Sequence, residues 1–448
     1  MTQSRLLTLL VTGLALFAMY FGAGNLIFPV MIGIEAGPAV TAAIIGFLMT
    51  GVLLPVLGMV AAATAPDGVE QIADRIGHHP GVVFTIIIFL STGMLYAIPR
   101  VATVSYEMVL DPLLPPDLTY RWIAEPVFLL IFFAVTYLLA VNPKGMLDRI
   151  GGYLTPLLLL FLFILIITAV IKLPLDLGKA TGEYADTPLA TGLINGYFTM
   201  DAIASLVFGI VIIEALRRRG FETKQQLFTG TALAGVIAGI ALAVVYVGLA
   251  AVGSRLGTAG MTNGAEALAH ASTLLFGRSG QLIFGVIVLL ACLTTAVGLT
   301  GASTQYFRGL FPAVPRVPMV IFHVTVAFAL ANLGLEAILQ VVAPVNQLIY
   351  PIVICIVFIS ILDIFMPGDL KWTYRLATWC GVAVGAFEAL WSTQLPIFAG
   401  LRDTLDMFPL GAIHMPWVAP ALAGFAIGFI IDAATRNVLS RGMTSATA

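Results

Sequence analysis

From Leu6 to Val30 the chain runs without a charged side chain, and stretches of this kind recur along its whole length. About 20 apolar residues are enough for a helix to cross a bilayer. Of the 448 residues, 60% are hydrophobic and 10% charged, against roughly 45–50% and ~25% in a soluble domain. A globule needs a charged skin that this composition does not supply, so lipid is the solvent. The first run is too long for the apolar region of a secretory signal and lacks a convincing A-x-A cleavage site, so it is read as a span that stays.

Apolar runs bounded by charge or by Pro/Gly clusters predict twelve spans. They lie near 6–33, 39–63, 81–107, 123–141, 150–171, 188–214, 227–252, 280–305, 319–334, 337–362, 373–394 and 417–434. Segments 68–79 and 262–277 read as amphipathic connectors. No linker divides the chain, which predicts a single polytopic membrane domain over 1–448. The loops on the side of the N-terminus hold fourteen Lys and Arg and those opposite hold six, with Arg100 inside a span. That asymmetry predicts a multi-pass protein of the cell (inner, cytoplasmic) membrane with both termini cytoplasmic. A net charge of −2 offers no basic face for nucleic acid. Cys292, Cys355 and Cys380 sit in apolar runs, without disulfide or metal-site spacing.

Two spans are interrupted near their middles. Span one reads ALFAMYFGAGNLIFP over 15–29, with Gly22, Ala23, Gly24, Asn25 and Pro29 against a continuous helix. Span six reads GLINGYFTMDAIASLVFG over 192–209, interrupted by Asn195, Gly196, Thr199 and Asp201. Unwound backbone at membrane depth survives only where protein or a wet cavity satisfies it. Broken helices at corresponding positions of two halves point to a transporter binding site. Five spans follow from each break to the end of its half, and an odd-numbered unit duplicates with inverted topology. The halves are repeat 1 (about 6–171) and repeat 2 (about 188–362), with additional helices over about 373–434. A half-helix N-terminus suits a carboxylate and unpaired carbonyls suit a small cation. The other reading is that the glycines only permit close helix packing, which leaves Asn25 and Asp201 unexplained.

GLALFAMYFGAGNLIFP in span one, YAIPRVATVSYE in span three, GYFTMDAIASLVFGIV in span six and LACLTTAVGL in span eight resemble the branched-chain amino-acid:cation symporters over essentially the whole chain. These are the bacterial system II carriers for leucine, isoleucine and valine. The resemblance implies an all-α LeuT-like fold, a 5+5 inverted repeat with broken helices 1 and 6 plus two additional helices, and sodium-driven uptake. A looser resemblance to amino-acid transporters of the LeuT type implies individual roles. A Na⁺ site would take the carbonyls of Ala18, Phe21 and Ala291 and the hydroxyls of Thr294 and Thr295. The alternative is that both threonines bond back within their own helix. The substrate would lie at the first break, Gly22 to Asn25, its carboxylate on the N–H groups of Ala23 and Gly24. Its amine would meet carbonyls around Gly196, Tyr197 and Phe198. Phe198 and Tyr96 would wall an aliphatic pocket, although aromatic residues in spans are ordinarily packing.

Charges inside spans ordinarily face the bundle with a partner. Arg100 is expected to pair with Asp201, or with Glu107, or else to snorkel towards the outer interface. Asp201 has a further role open to it, as carrier of a coupling proton or direct ligand of the cation. Glu388 in span eleven falls outside the ten-helix core and reads as structural. Asn332, Asn346 and Gln347 are expected to cap or bridge helices. His78, His79, His270 and His414 fall in connections, and His323 in a span reads as hydrogen-bonded structure.

No HExxH, GxSxG, Walker or paired CxxC pattern supports an enzyme. A channel would want rings of charges or carbonyls, usually from several subunits. The expected activity is therefore import of leucine, isoleucine or valine with Na⁺ by alternating access. No organic cofactor, nucleic acid or obligate protein partner is expected, and membrane lipid surrounds the chain. Proton-coupled transport of another small amino acid, or a transport-inactive sensor on the same fold, are the alternatives.

Overall fold

Hydrocarbon offers no hydrogen bonds, so a spanning segment must satisfy its backbone internally. The chain does so with helices, and no strand occurs among the described residues. The computed structural model describes residues 3–65, 69–115, 121–257, 261, 263–366, 370–393, 395–398, 400–413 and 415–445. His414 and the side chains of 335–343 in the tenth expected span lie outside the described set.

The apolar runs become α1 (Gln3–Tyr20), α2 (Ala23–Glu35), α3 (Gly37–Ala63), α4 (His78–Leu90), α5 (Ala97–Val109), α6 (Arg121–Ala140), α7 (Gly145–Lys172), α8 (Pro188–Tyr197), α9 (Asp201–Arg218) and α10 (Lys224–Gly253). They continue as α11 (Gly264–Phe276), α12 (Arg278–Leu310), α13 (Arg316–Ala331), α14 (Leu335–Phe365), α15 (Lys371–Ser392) and α16 (Val418–Ser445). The expected connectors are the short helix Val69–Ala73, with its 3-10 turn, and α11. Among the described residues nine helices are long and apolar enough to cross a membrane, or ten when α1 and α2, bent by 74°, count as one span. That falls short of the expected twelve. The difference is α13, apolar but only 16 residues long, and α15, which carries Lys371, Arg375 and Glu388.

By internal contacts the chain forms two compact units, each discontinuous in sequence. One comprises 1–59 with 92–338, and the other 60–91 with 339–448. In the first unit glycines set the helix spacing. A Cβ on Gly33 would stand 2.1 Å from the Ala250 carbonyl, and one on Gly253 2.1 Å from that of Val30, so α2 and α10 meet backbone to backbone. Gly192 of α8 and Gly46 of α3 interlock in the same way. Contacts this close need small residues, as is usual for helices in lipid.

In the second unit α15 and α16 pack closely. Gly424 and Gly428 face the carbonyls of Leu376 and Trp372. Asp432 of α16 accepts from the N–H groups of Trp372 and Thr373 (3.1 and 2.8 Å) and from the Thr373 hydroxyl (2.7 Å). These are donors that the first turn of α15 leaves unpaired. Arg75 reaches Asp363 (3.1 Å) and the Tyr374 hydroxyl. Asn346 bridges to Ser91, as a polar residue in a span was expected to do, accepting its hydroxyl at 2.7 Å. Asn332 and His323, in the first unit, bond back to the carbonyls of Phe328 (2.7 Å) and Met319 (2.8 Å).

Candidate functional site

The first break is two residues long. Tyr20 ends α1, Gly22 is extended (φ −96°, ψ −168°) and α2 begins at Ala23. Gly22 N–H donates to the Tyr20 carbonyl (2.8 Å) and to the Asn25 side-chain oxygen (3.2 Å), so Asn25 caps the helix it belongs to. Pro29, counted from the sequence among the residues against a continuous helix, lies inside α2 and does not break it. Having no N–H, it withdraws the donor that the Asn25 carbonyl would otherwise receive.

At the second break α8 runs through Asn195 and Gly196 to Tyr197, and Met200 adopts a left-handed conformation (φ 64°, ψ 14°) before α9 starts at Asp201. Gly196 is therefore not where the helix stops. Its Cα lies against α3, where an added Cβ would stand 2.4 Å from the Phe47 carbonyl, so here the packing reading of the glycine holds. The Gly196 carbonyl accepts from the Thr199 hydroxyl (2.8 Å) and N–H (3.3 Å), and that of Tyr197 from Met200 N–H (3.3 Å). Tyr197 is buried, whereas Phe198 is 36% exposed. Asn195 donates to the Tyr184 hydroxyl at 2.5 Å, and burial pushes that phenol, in the loop ahead of α8, up from its ordinary range.

A buried polar cluster joins the two breaks. Asn25 donates to the Asp201 carboxylate (2.7 Å) and to the Tyr246 hydroxyl (2.5 Å), and Tyr246 also reaches Asp201 (3.4 Å). All three are at most 4% exposed. The Tyr246 ring sits between Phe21 and Phe47, with centroids at 6.2 and 5.1 Å. One turn along α9, Ser205 receives the Tyr20 hydroxyl (2.8 Å) and lies 2.9 Å from the Pro55 carbonyl. Tyr246, Tyr20 and Ser205 were missed from sequence. Tyr246 stands in an uninterrupted apolar run and Tyr20 and Ser205 in the apolar flanks of the breaks, where such residues read as packing, and only the fold puts them beside Asp201.

The proposed cation ligands converge as well. The Thr294 hydroxyl lies 2.8 Å from the Ala18 carbonyl near the end of α1, and 2.9 and 3.0 Å from the carbonyls of Leu290 and Ala291. Thr295 lies 3.5 Å from Ala18 O, and a Cβ on Gly22 would stand 3.4 Å from the Thr295 hydroxyl. Phe21 is fully buried next to them. Uncharged oxygens from two helices at one break suit a hard monovalent cation. Thr294 thus makes both the bond across to α1 and the bond back within its own helix.

The expected partners of Arg100 are elsewhere. No ion pair joins Arg100 to Asp201 or Glu107 among the described residues. Asp201 is held by Asn25 and Tyr246, and Glu107 is exposed and faces Glu125 and Asp111. Arg100 lies on α5, which follows a third interruption that the sequence reading did not mark. A π-helical turn at Ser91–Leu95 contains Gly93 in a non-helical conformation (φ −92°, ψ −127°), where a Cβ would stand 2.8 Å from the Ser303 hydroxyl. The STG triplet was its only signal. Tyr96 precedes α5, buried, and accepts from Arg100 at 3.0 Å.

At the far end of α9 a cavity of about 440 Å³ is lined by Asp148, Glu214, Arg218, Arg219, Gln305 and Arg316, among others. Arg219 closes one side of it, donating to Thr12 of α1 (3.2 Å) and pairing with Asp148. One helix therefore carries a buried polar cluster at its start and a cavity lined in part by charged residues near its end.

Comparison with known proteins places the chain in a family. A family model described as branched-chain amino acid transport protein matches residues 6–435. The branched-chain amino acid permease BrnQ of Corynebacterium glutamicum is 38% identical over 425 residues, 95% of each chain. The permease BraB of Bacillus subtilis is 37% identical over 436 residues, 94% of this chain and 95% of its own. Among solved structures, the nucleobase-cation-symport-1 family transporter Mhp1, in a closed conformation with bromovinylhydantoin bound, aligns with a TM-score of 0.51 at 16% identity. The alignment covers 97% of this chain and 93% of that one. The last likeness concerns the fold alone and is LeuT-like. The chain is a transport protein and not an enzyme, and it belongs to the branched-chain amino acid transport protein family.

Proposed function

We propose that the protein imports leucine, isoleucine and valine across the cell membrane together with Na⁺, by alternating access about the two breaks. The observation that carries this reading is the meeting of both breaks: Asn25 of α2 bonds Asp201 of α9 at 2.7 Å, while Thr294 of α12 meets the Ala18 carbonyl at 2.8 Å. Substrate and cation would then share α1 and α2, so that binding either one favours the same arrangement of the break. Na⁺ would be held by Ala18, Phe21, Ala291, Thr294 and Thr295. Its entry down a potential of 100 mV releases ~2.3 kcal/mol per charge, about a 50-fold accumulation. The two inverted repeats, about 6–171 and 188–362, and cytoplasmic termini complete the proposal.

A second reading places a coupling proton on Asp201. It is favoured by a buried carboxylate whose described partners, Asn25 and Tyr246, are neutral, since an uncompensated charge in lipid is costly. Labelled leucine uptake into proteoliposomes separates the two. Wild type should accumulate leucine above equilibrium only on an inward Na⁺ gradient, and Thr294→Ala/Thr295→Ala should lose that accumulation. Equal accumulation on a proton gradient alone would overturn the Na⁺ site and favour Asp201. No uptake of any branched-chain amino acid under any gradient would overturn the substrate.

A further inference from the structure

We infer that Arg100 reads the carboxylate of the transported amino acid, which makes it a specificity-determining residue of the site. This rests on the proposed function and names the group that would recognise one end of its substrate. Arg100 is half-buried inside a span, where a guanidinium normally has an acidic partner. None is present among the described residues. Its guanidinium lies over the Tyr96 ring, 5.5 Å from the centroid, and donates to the Tyr96 hydroxyl. That hydroxyl is neutral and leaves the positive charge uncompensated.

The direction of the side chain decides against snorkelling. One guanidinium nitrogen lies 4.0 Å from where a Cβ on Gly24 would be, and the Phe28 ring edge lies 3.7 Å from the same point. Arg100 therefore faces the first turn of α2 at the first break. Arg100 brings a full charge and several donors to the space beside Gly24, a fork that matches a carboxylate. The third interruption, at Gly93, is what puts Tyr96 and Arg100 at the start of a new helix. The ligand class is an α-amino acid with a free carboxylate; its amide or alcohol would leave the charge unmatched.

Binding of labelled leucine to the purified full chain in Na⁺, with unlabelled leucine and leucinamide as competitors, tests this. Wild type should bind leucine at least about 10-fold more tightly than leucinamide, and Arg100→Gln should weaken leucine about 10-fold while leaving leucinamide nearly unchanged. Arg100→Lys should restore part of the preference. Gly24→Ala keeps the arginine and meets no hard contact, yet should weaken leucine by filling the space. Equal competition by leucine and leucinamide in wild type would overturn the assignment, as would an Arg100→Gln chain that loses both equally or retains full leucine affinity. A wild type that binds no leucine, isoleucine or valine would instead overturn the substrate reading, and this assignment with it.

Discussion

The chain leaves the helical path at Phe21–Gly22 and again at Phe198–Met200, and it does so by different means. At the first place the instruction is local. Glycine stands at the turn, Asn25 caps the new helix from within, and no residue of the break has positive φ. At the second, a methionine takes a left-handed conformation that costs an ordinary residue about 1–2 kcal/mol. Such strain persists only where the surroundings over-determine it. The surroundings here are the Asp201 cluster and Ser205, which pin the start of α9 to α2, α3 and α10. One break is thus self-sufficient, and the other depends on its neighbours.

If the second break depends on the cluster, removing the bridge should harm it most. Asn25→Ala deletes the cap of Gly22 and takes from the Asp201 carboxylate the partner at 2.7 Å that ties it to the first break. The expected result is loss of leucine uptake by more than about 10-fold and destabilisation of about 1–3 kcal/mol, read by uptake and by thermal unfolding in detergent. An Asn25→Ala chain with normal uptake would dissolve the link between the breaks. Tyr246→Phe removes a single hydroxyl and keeps the ring between Phe21 and Phe47. A cost of about 1 kcal/mol and a several-fold fall in uptake are expected, and an effect as large as that of Asn25→Ala would make Tyr246 the principal clamp.

The smallest effect sharpens the contrast in backbone. Met200→Gly should stabilise the protein by about 0.5–1 kcal/mol, because glycine accepts positive φ without strain. Gly22→Ala has no such strain to relieve, and its Cβ would press on Thr295. It should leave the unfolding temperature within about 1–2 °C while raising the Na⁺ concentration needed for uptake. Similar stability changes in the two variants would show that the breaks are held alike.

Much of the fold was legible because lipid imposes a simple rule: apolar runs must be helices, and each of the twelve runs is built on helix, apart from the interruptions and a few residues at run ends. The first break was legible for the same local reason, since two glycines and an asparagine disfavour helix wherever they are placed. Gly196 shows the limit of that logic. Its residue type predicted a break, but its position against Phe47 made it a packing contact, and the chain turned four residues later at a methionine with no turn propensity.

The charges show it again. Sequence marked Arg100 and Asp201 as costly in lipid, because desolvation penalises either one alone, and left Arg100 either an interior partner or the outer interface. It did not establish what they face, because partners in a helical bundle come from segments distant in the chain: Asn25 and Asp201 are separated by 176 positions and Tyr246 lies 45 beyond. The sequence by itself thus determined solvent, secondary structure, the first break and the residues that cannot be idle. Only the tertiary structure decided where the second and third breaks fall, that Tyr246 completes the cluster at Asp201, and that Arg100 turns to the first turn of α2. Helix periodicity fixes which face a side chain occupies, whereas its partner depends on which helix packs against that face.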